Sequence, residues 1–151
     1  MRLKLGAKEL THRGPDEEGR FDDSLVSLGI QRLSIIDLTK ELQPVYSESR
    51  EVVAVMNGEI YNHIELSELL QKSGHILASG TDTEVLPHLY EEYGDTFITK
   101  LRGMFSLALW DKKRERLLLV RDRFGKKPLY YMRSEGGVAF ASEIKALRAM
   151  V

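Results

Sequence analysis

Cysteine is absent from all 151 residues of the sequence. Disulfide bonds, thiolate metal sites and a cysteine nucleophile carried by this chain are therefore excluded. The four histidines, His12, His63, His75 and His88, do not follow the spacing of a zinc-binding motif, so we do not predict a structural metal site.

Long apolar runs and an excess of charge of one sign are also lacking. No run approaches the roughly 20 apolar residues that span a bilayer, and the stretch MRLKLGAKEL alternates charged with apolar residues, unlike a secretory signal. Lysine and arginine number 22 against 23 aspartates and glutamates, which gives no basic surface for nucleic acid or anionic lipid. We expect a cytoplasmic protein without nucleic-acid or membrane partners.

No repeat, low-complexity stretch or linker divides the chain, so residues 1–151 are predicted to form one domain. The predicted elements are a short helix over 3–10, a polar loop over 12–19, a strand or hairpin arm over 24–37 and a buried strand over 51–56. Helices follow from 62 or 63 to 73, with Leu66, Leu69 and Leu70 on one stripe, and from a capping box at 81–84 to Gly94. Pro87 should kink the second of these helices.

Four short apolar segments come next: GMFSLALWD, RLLLVRD, KPLYYM and GVAFA. Turn-forming or charged residues separate them, which indicates an antiparallel meander of four strands. A closing helix then begins at Ser142 or Glu143. Strands, helices, strands and a helix in this order predict an α+β fold.

The stretch VVAVMNGEIYNH can be interpreted in two ways. Asn57-Gly58 between apolar segments is a strong hairpin signal, but Asn57, Gly58 and Glu59 also follow a buried strand. Arg32 follows another predicted strand, and Asp82 lies in the first turn of a predicted helix. Together these groups could bind a zwitterionic amino acid. Taken one at a time, Asn57 could be a turn residue, Arg32 a surface charge and Asp82 a favourable anion at a helix N-terminus.

Eight motifs taken in order resolve the choice: HRGPDEEG, RLSIIDL, NGEIYNH, SGTDTEV, HLYEEYG, GMFSLALWD, RDRFGKKPLYY and FASEIKAL. From residue 10 to 147 they closely resemble the glutaminase domain of glutamine-dependent asparagine synthetases. That domain is a class II amidotransferase. The resemblance implies an N-terminal-nucleophile hydrolase fold, a sandwich of two antiparallel β-sheets between helices.

The resemblance also implies a role for each candidate residue. Arg32 would hold the α-carboxylate of L-glutamine through a bidentate pair of charge-assisted hydrogen bonds. Asp82, with Glu59 beside it, would take the α-ammonium group, and Asn57 and Gly58 would form the oxyanion hole. Backbone groups would hold the side-chain amide at four successive positions, Leu33, Ser34, Ile35 and Ile36.

The sequence departs from the family at its start. Family members begin Met-Cys-Gly, and the exposed cysteine is the nucleophile while its own amine acts as the base, so His12 is expected to be structural. Here the sequence begins within the helix that follows the family's first strand, so that strand and the nucleophile are expected to be missing. We expect the 151-residue chain alone not to hydrolyse glutamine, and to self-associate or be marginally stable because of unpaired strand edges.

Three origins remain open: a piece of an active asparagine synthetase, a non-catalytic glutamine-binding or partner-binding paralogue, or a subunit with a structural role. The resemblance implies a C-terminal synthetase domain as partner. No pyrophosphate-binding SGGxDS loop occurs in the sequence, so ATP and Mg²⁺ are expected only through that synthetase domain and no cofactor is expected on this chain.

Overall fold

A computed structural model describes residues 2–13, 17–32 and 43–150. Its helices are α1 (Arg2–Lys8), α2 (His63–Lys72), α3 (Val85–Tyr93) and α4 (Ile144–Met150), with 3₁₀ helices at Thr11–Arg13 and Gly94–Lys100. Its strands are β1 (Glu17–Asp22), β2 (Ser27–Arg32), β3 (Val45–Tyr46), β4 (Val52–Ile60), β5 (Gly103–Asp111), β6 (Arg116–Arg121), β7 (Tyr130–Ser134) and β8 (Gly137–Ala141).

An antiparallel sheet in the order β3-β4-β5-β6 forms the centre of the fold. Successive side chains of a strand point to opposite faces, so Val52, Ala54 and Met56 pack on one side and Val53 and Val55 on the other. Both faces are buried, which explains why β4 begins as a continuous apolar run instead of an alternating one.

The other elements are layered on the two faces of this sheet. Helices α2 and α3 cover one face, where Leu70, Leu86 and Leu89 join its apolar cluster. The hairpins β1–β2 and β7–β8 contribute Leu28 and Phe140 to the cluster on the opposite face. Helices α1 and α4 lie outside the hairpins and contact each other. The predicted arrangement of antiparallel sheets between helices is confirmed, with the second layer made of two separate hairpins.

The predicted meander of four strands is wrong in one pairing, because β6 and β7 do not pair with each other. Strands β5 and β6 belong to the central sheet, whereas β7 pairs only with β8 among the described strands. Between β6 and β7 the chain folds around Asp122, whose carboxylate accepts hydrogen bonds from the amides of Phe124, Lys126 and Lys127 at 3.0–3.2 Å. Strand β7 then pairs with β8 and does not extend the central sheet.

Several local predictions also need correction. The polar loop expected over 12–19 ends earlier, since β1 starts at Glu17 and pairs with β2 through to Asp22. Pro87 lies in the first turn of α3, where backbone amides have no partner within the helix, so it removes no hydrogen bond. Leu69 is 37% exposed, and the buried stripe of α2 consists of Leu66 and Leu70.

Glycine at position 6 brings the two outer helices together. A Cβ atom there would lie 2.7 Å from Met150 Cγ and 3.2 Å from the Ala146 carbonyl oxygen. A residue that weakens α1 as an isolated helix therefore permits its packing on α4. Within the described ranges, no helix is both long and apolar enough to cross a bilayer.

Candidate functional site

Asn57 and Gly58 lie inside a strand and do not form a turn. Strand β4 continues through both residues to Ile60, with Asn57 opposite Ser106 and Gly58 opposite Phe105 on β5. The hairpin interpretation of Asn-Gly is therefore wrong. The chain turns after Ile60, where the amide of Tyr61 donates a hydrogen bond to Arg102 O at 2.7 Å.

Gly58 has a conformation and surroundings that exclude a side chain. Its φ is 147°, in the region that favours glycine. A Cβ atom there would lie 2.0 Å from Met104 O and 2.6 Å from Phe105 Cα, and both are backbone atoms. Glycine thus lets β4 press against β5 while the backbone turns locally away from regular strand geometry.

A cleft of about 540 Å³ opens beside these residues, between the two hairpins of the second layer. Its floor is the surface of β4 and β5, and the outer helices α1 and α4 close its far side. The residues that line it include Gly29, Ile30 and Gln31 of β2, Asn57 and Gly58 of β4, Phe140 and Ala141 of β8, and Lys127. Strand β2 pairs only with β1 and β8 only with β7 among the described strands, so an unpaired edge of each hairpin remains near the cleft.

The Asn57 side chain carries an unpaired donor. Its Nδ2 atom is buried and has no hydrogen-bond partner in the part of the chain that the structure describes. Buried amide groups are nearly always paired, because an unpaired one costs about 1–3 kcal/mol. A buried donor at the wall of a largely apolar cleft, next to a glycine backbone, is suited to bind an oxygen atom of a ligand.

The two candidate carboxylates flank the end of β4. Asp82 Oδ2 accepts a hydrogen bond from the amide of Ile60 at 2.9 Å, next to the exposed Glu59. Asp82 lies in the turn before α3 and not within the helix as predicted. The fold thus brings Asn57, Gly58, Glu59 and Asp82 to one end of β4, although neither carboxylate is among the cleft-lining residues.

Glu84 holds the loop that carries Asp82. It is 3% exposed, and its carboxylate accepts hydrogen bonds from the amides of Ala78, Ser79 and Gly80 and from Ser79 Oγ. The predicted capping box is wrong, because no side chain caps α3. Burial alone would raise the pKa of Glu84, but these donors outweigh it and lower the pKa.

Only the backbone of Arg32 is described by the structure. It is the last residue of β2, opposite Glu17, and directly follows the cleft-lining Gln31. Its side chain lies outside what the structure describes, as do Leu33, Ser34, Ile35 and Ile36. His12 is half exposed, 3.2 Å from Glu143 and absent from the cleft lining.

Two residues that position the site were not predicted. The Gln43 side chain accepts a hydrogen bond from the amide of Met56 and donates one to its carbonyl at 3.0 Å, which fixes β4 directly before Asn57. Asn62 donates to Lys100 O at 3.0 Å and accepts from the amide of Arg102 at 2.9 Å. Because their partners are distant backbone groups, no local sequence pattern identifies either role.

The sequence matches the family described as "Glutamine amidotransferase domain" over residues 2–151. The chain belongs to this family. The resemblance to the glutaminase domain of asparagine synthetases is confirmed, since the curated relatives of this chain include many such enzymes.

Two relatives illustrate the extent of the similarity. Asparagine synthetase [glutamine-hydrolyzing] 2 of Bacillus subtilis is 46% identical over 145 residues, which cover 96% of this chain and 19% of that protein. Asparagine synthetase [glutamine-hydrolyzing] of Zea mays is 46% identical over 142 residues, covering 93% of this chain and 24% of that protein. The chain thus spans about a fifth to a quarter of the length of these relatives.

Solved structures support the fold. Glutamine phosphoribosylpyrophosphate amidotransferase from B. subtilis matches 97% of this chain and 40% of its own, with a TM-score of 0.73 at 21% identity. The structure titled as the allosteric regulatory enzyme of purine biosynthesis matches 82% of this chain and 29% of its own, with a TM-score of 0.68 at 22% identity. The amidotransferase fold of the N-terminal-nucleophile class is therefore shared.

Gly58→Ala should destabilise the protein more than Gly137→Ala. Both glycines have positive φ, but a Cβ at Gly137 would meet no atom within 4 Å, whereas one at Gly58 would clash with the β5 backbone. Gly137→Ala is expected to cost about 1–3 kcal/mol from backbone strain alone. Urea unfolding of both variants measures the difference, and equal losses would contradict the close approach of β4 to β5.

Glu84→Gln should lower the free energy of unfolding at neutral pH, because an amide NH₂ would face backbone donors and each donor left unpaired costs about 1–3 kcal/mol. Since folding lowers the pKa of Glu84, its stabilising effect is full above the usual glutamate value of 4.5 and is lost as the pH falls below it. Unfolding measured from pH 7 to pH 3 tests this. The exposed Glu68→Gln variant is the control, and a pH-independent gap between wild type and Glu84→Gln would contradict the assignment.

Proposed function

We propose that this chain is the glutamine-binding domain of an asparagine synthetase, in which ammonia released from L-glutamine is used to amidate aspartate at the expense of ATP. The observation that carries the proposal is the unpaired amide of Asn57 at the cleft, beside a glycine in a left-handed conformation. The similarity of the chain to glutamine-hydrolysing asparagine synthetases over 96% of its length supports the same substrate.

Asn57 and Gly58 supply the two donors of an oxyanion hole. When a thiolate attacks the glutamine amide carbon, the C=O π electrons move to oxygen, and that oxygen becomes negative. Asn57 Nδ2 and the Gly58 amide would each donate a hydrogen bond to it, so the tetrahedral intermediate is stabilised more than the substrate. As the intermediate collapses, the cysteine's amine would return the thiol proton to the leaving nitrogen, so that ammonia departs and a thioester remains. Water then hydrolyses the thioester to glutamate and the free thiol.

The substrate's backbone groups are held by side chains of opposite charge. Arg32 would bind the α-carboxylate with two parallel hydrogen bonds, with Leu33, Ser34, Ile35 and Ile36 supplying backbone groups for the amide. Asp82 retains acceptor capacity for the α-ammonium group, because the Ile60 amide and the Thr83 hydroxyl use only two of its roughly four lone-pair sites. The exposed Glu59 adds a second negative charge nearby.

The thiolate itself is not among the 151 residues, which contain no cysteine. We propose that the 151-residue chain by itself binds glutamine without hydrolysing it, and that a cysteine-bearing strand paired with a hairpin edge beside the cleft would complete the enzyme. ATP and Mg²⁺ would be bound by a partner synthetase domain, in the cytoplasm. Self-association through the unpaired hairpin edges stays a prediction, to be checked by sedimentation.

Calorimetric titration with L-glutamine tests the binding half of the proposal. Arg32→Ala and Asp82→Ala should each weaken binding, since a charge-assisted hydrogen bond contributes about 1.5–3 kcal/mol, equivalent to roughly 10- to 150-fold in Kd. Arg32→Lys should fall between wild type and alanine, because it keeps the charge but not the planar fork.

Arg20→Ala is the matched control, since Arg20 pairs with Asp22 on β1. Wild-type chain that binds no glutamine at millimolar concentration, or Arg32 and Asp82 variants that bind as wild type does, would contradict the binding role.

Restoring the nucleophile tests the catalytic half. Joining the first strand of the B. subtilis relative to Arg2, with cysteine exposed after methionine removal, should produce glutaminase activity that the 151-residue chain lacks. In that extended protein Asn57→Ala should lower kcat about 10²- to 10³-fold with a smaller change in KM. Ammonia release is the measurement, with cysteine replaced by alanine as the blank. An extended Asn57→Ala protein with unchanged kcat would exclude the oxyanion role.

A further inference from the structure

A second polar cluster lies at the opposite end of β4 from Asn57. Glu48 belongs to the turn between β3 and β4, His75 follows the end of α2, and His88 lies on α3. One potential ligand atom from each lies within 4.8 Å of the others. Val52, near this turn, and Asn57 are five strand residues apart, or about 17 Å, so the cluster is separate from the cleft.

The contacts of the cluster converge on the Glu48 carboxylate. His75 Nδ1 lies 3.2 Å from Glu48 Oε1, and His88 Nδ1 lies 2.9 Å from Glu48 Oε2. The two imidazole rings meet edge to face with centroids 5.4 Å apart. Three separate segments of the chain thus direct a nitrogen or oxygen atom to one point.

His88 is left without a hydrogen bond at this point. Its side chain is 2% exposed, and although Nδ1 is close to Glu48, the two atoms are not aligned for a hydrogen bond. Among the described residues, Nδ1 of His88 and Nδ2 of Asn57 are the buried side-chain polar atoms that lack a hydrogen-bond partner. A buried, unpaired ring nitrogen next to a carboxylate oxygen is suited to share a cation with it.

We propose that Glu48, His75 and His88 bind a divalent transition-metal ion, with zinc the best match. Two imidazole nitrogens and one carboxylate oxygen form a donor set that zinc accepts, with water completing a tetrahedron. Zinc bonds of about 2.0–2.2 Å place neighbouring ligand atoms roughly 3.3–3.5 Å apart. From Glu48 Oε2 the observed separations are 3.3 Å to His75 Nδ1 and 2.9 Å to His88 Nδ1, so these two need to widen by only a few tenths of an ångström.

Electrostatics at the cluster favour a cation. Two carboxylates, those of Glu48 and Glu92, lie beside the imidazole rings. In the described parts of the chain, neither Glu48 nor Glu92 forms an ion pair with a lysine or arginine. A cation could therefore bind without displacing a basic side chain.

Further contacts orient Glu48 and His75 for metal binding. The Ile76 amide donates to Glu48 Oε1 at 2.7 Å, which fixes the carboxylate and leaves Oε2 for the ion. His75 Nε2 lies 3.5 Å from Glu92 Oε2. Glu92 would not touch the metal, but it would orient the His75 ring when His75 Nδ1 binds the ion. The Glu48 side chain is 36% exposed, which gives an ion a path from solvent.

Calorimetric titration of the chelator-treated, dialysed 151-residue chain with zinc chloride at neutral pH tests the site. We expect one equivalent to bind. His75→Gln, His88→Gln and Glu48→Gln should each lower the affinity more than about 100-fold, and Glu92→Gln by roughly 10- to 100-fold, as for outer-shell partners. Cobalt(II) should give visible absorption bands of a low-coordinate site that zinc displaces.

His12→Gln is the control, since it removes an exposed histidine elsewhere that also lies beside a glutamate. Circular dichroism in the presence of chelator establishes whether each variant is folded. If His88→Gln does not fold, the variants of the partly exposed His75 and Glu48 still test the site. Absence of saturable zinc binding, or unchanged affinity in folded His75→Gln and Glu48→Gln, would overturn the proposal. The contacts of Glu48 with His75 and His88 would then be a metal-free network of hydrogen bonds and ion pairs.

Discussion

The close approach of β4 to β5 at Gly58 determines where the polar groups of the cleft lie. Without a Cβ, the strand can press against the β5 backbone and adopt a left-handed conformation without leaving the sheet. Asn57 is thereby held in register with Ser106, with its amide at the wall of the cleft. Gln43 before this point and Asn62 after it fix the same strand through paired hydrogen bonds to backbone.

Division of the second layer into two hairpins provides the space for a ligand. The central sheet is buried on both sides, so its own residues can form only the floor of a cleft. Because β1–β2 and β7–β8 do not pair with each other in the described structure, a gap remains between them over β4 and β5. The loop around Asp122 joins the central sheet to the second of these hairpins.

Unpaired buried polar atoms mark both proposed sites. Folding normally pairs such atoms, because leaving one unpaired costs a substantial part of a protein's net stability. Asn57 Nδ2 and His88 Nδ1 lie at opposite ends of β4, one beside a glycine backbone and the other beside a carboxylate. Their surroundings suit different ligands: a developing oxyanion at the first and a metal cation at the second.

The sequence by itself determined the family, the α+β class and most elements, because buried strands and helices leave local patterns of apolar residues that end at glycine or polar residues. It also predicted Asn57, Gly58, Glu59 and Asp82 as candidate site residues, through motifs that resemble a known domain. Only the tertiary structure decided that Asn57-Gly58 continues a strand, that β7 leaves β6, and that Glu48, His75 and His88 meet. These outcomes depend on contacts between residues far apart in the chain, and local residue patterns carry no information about such contacts.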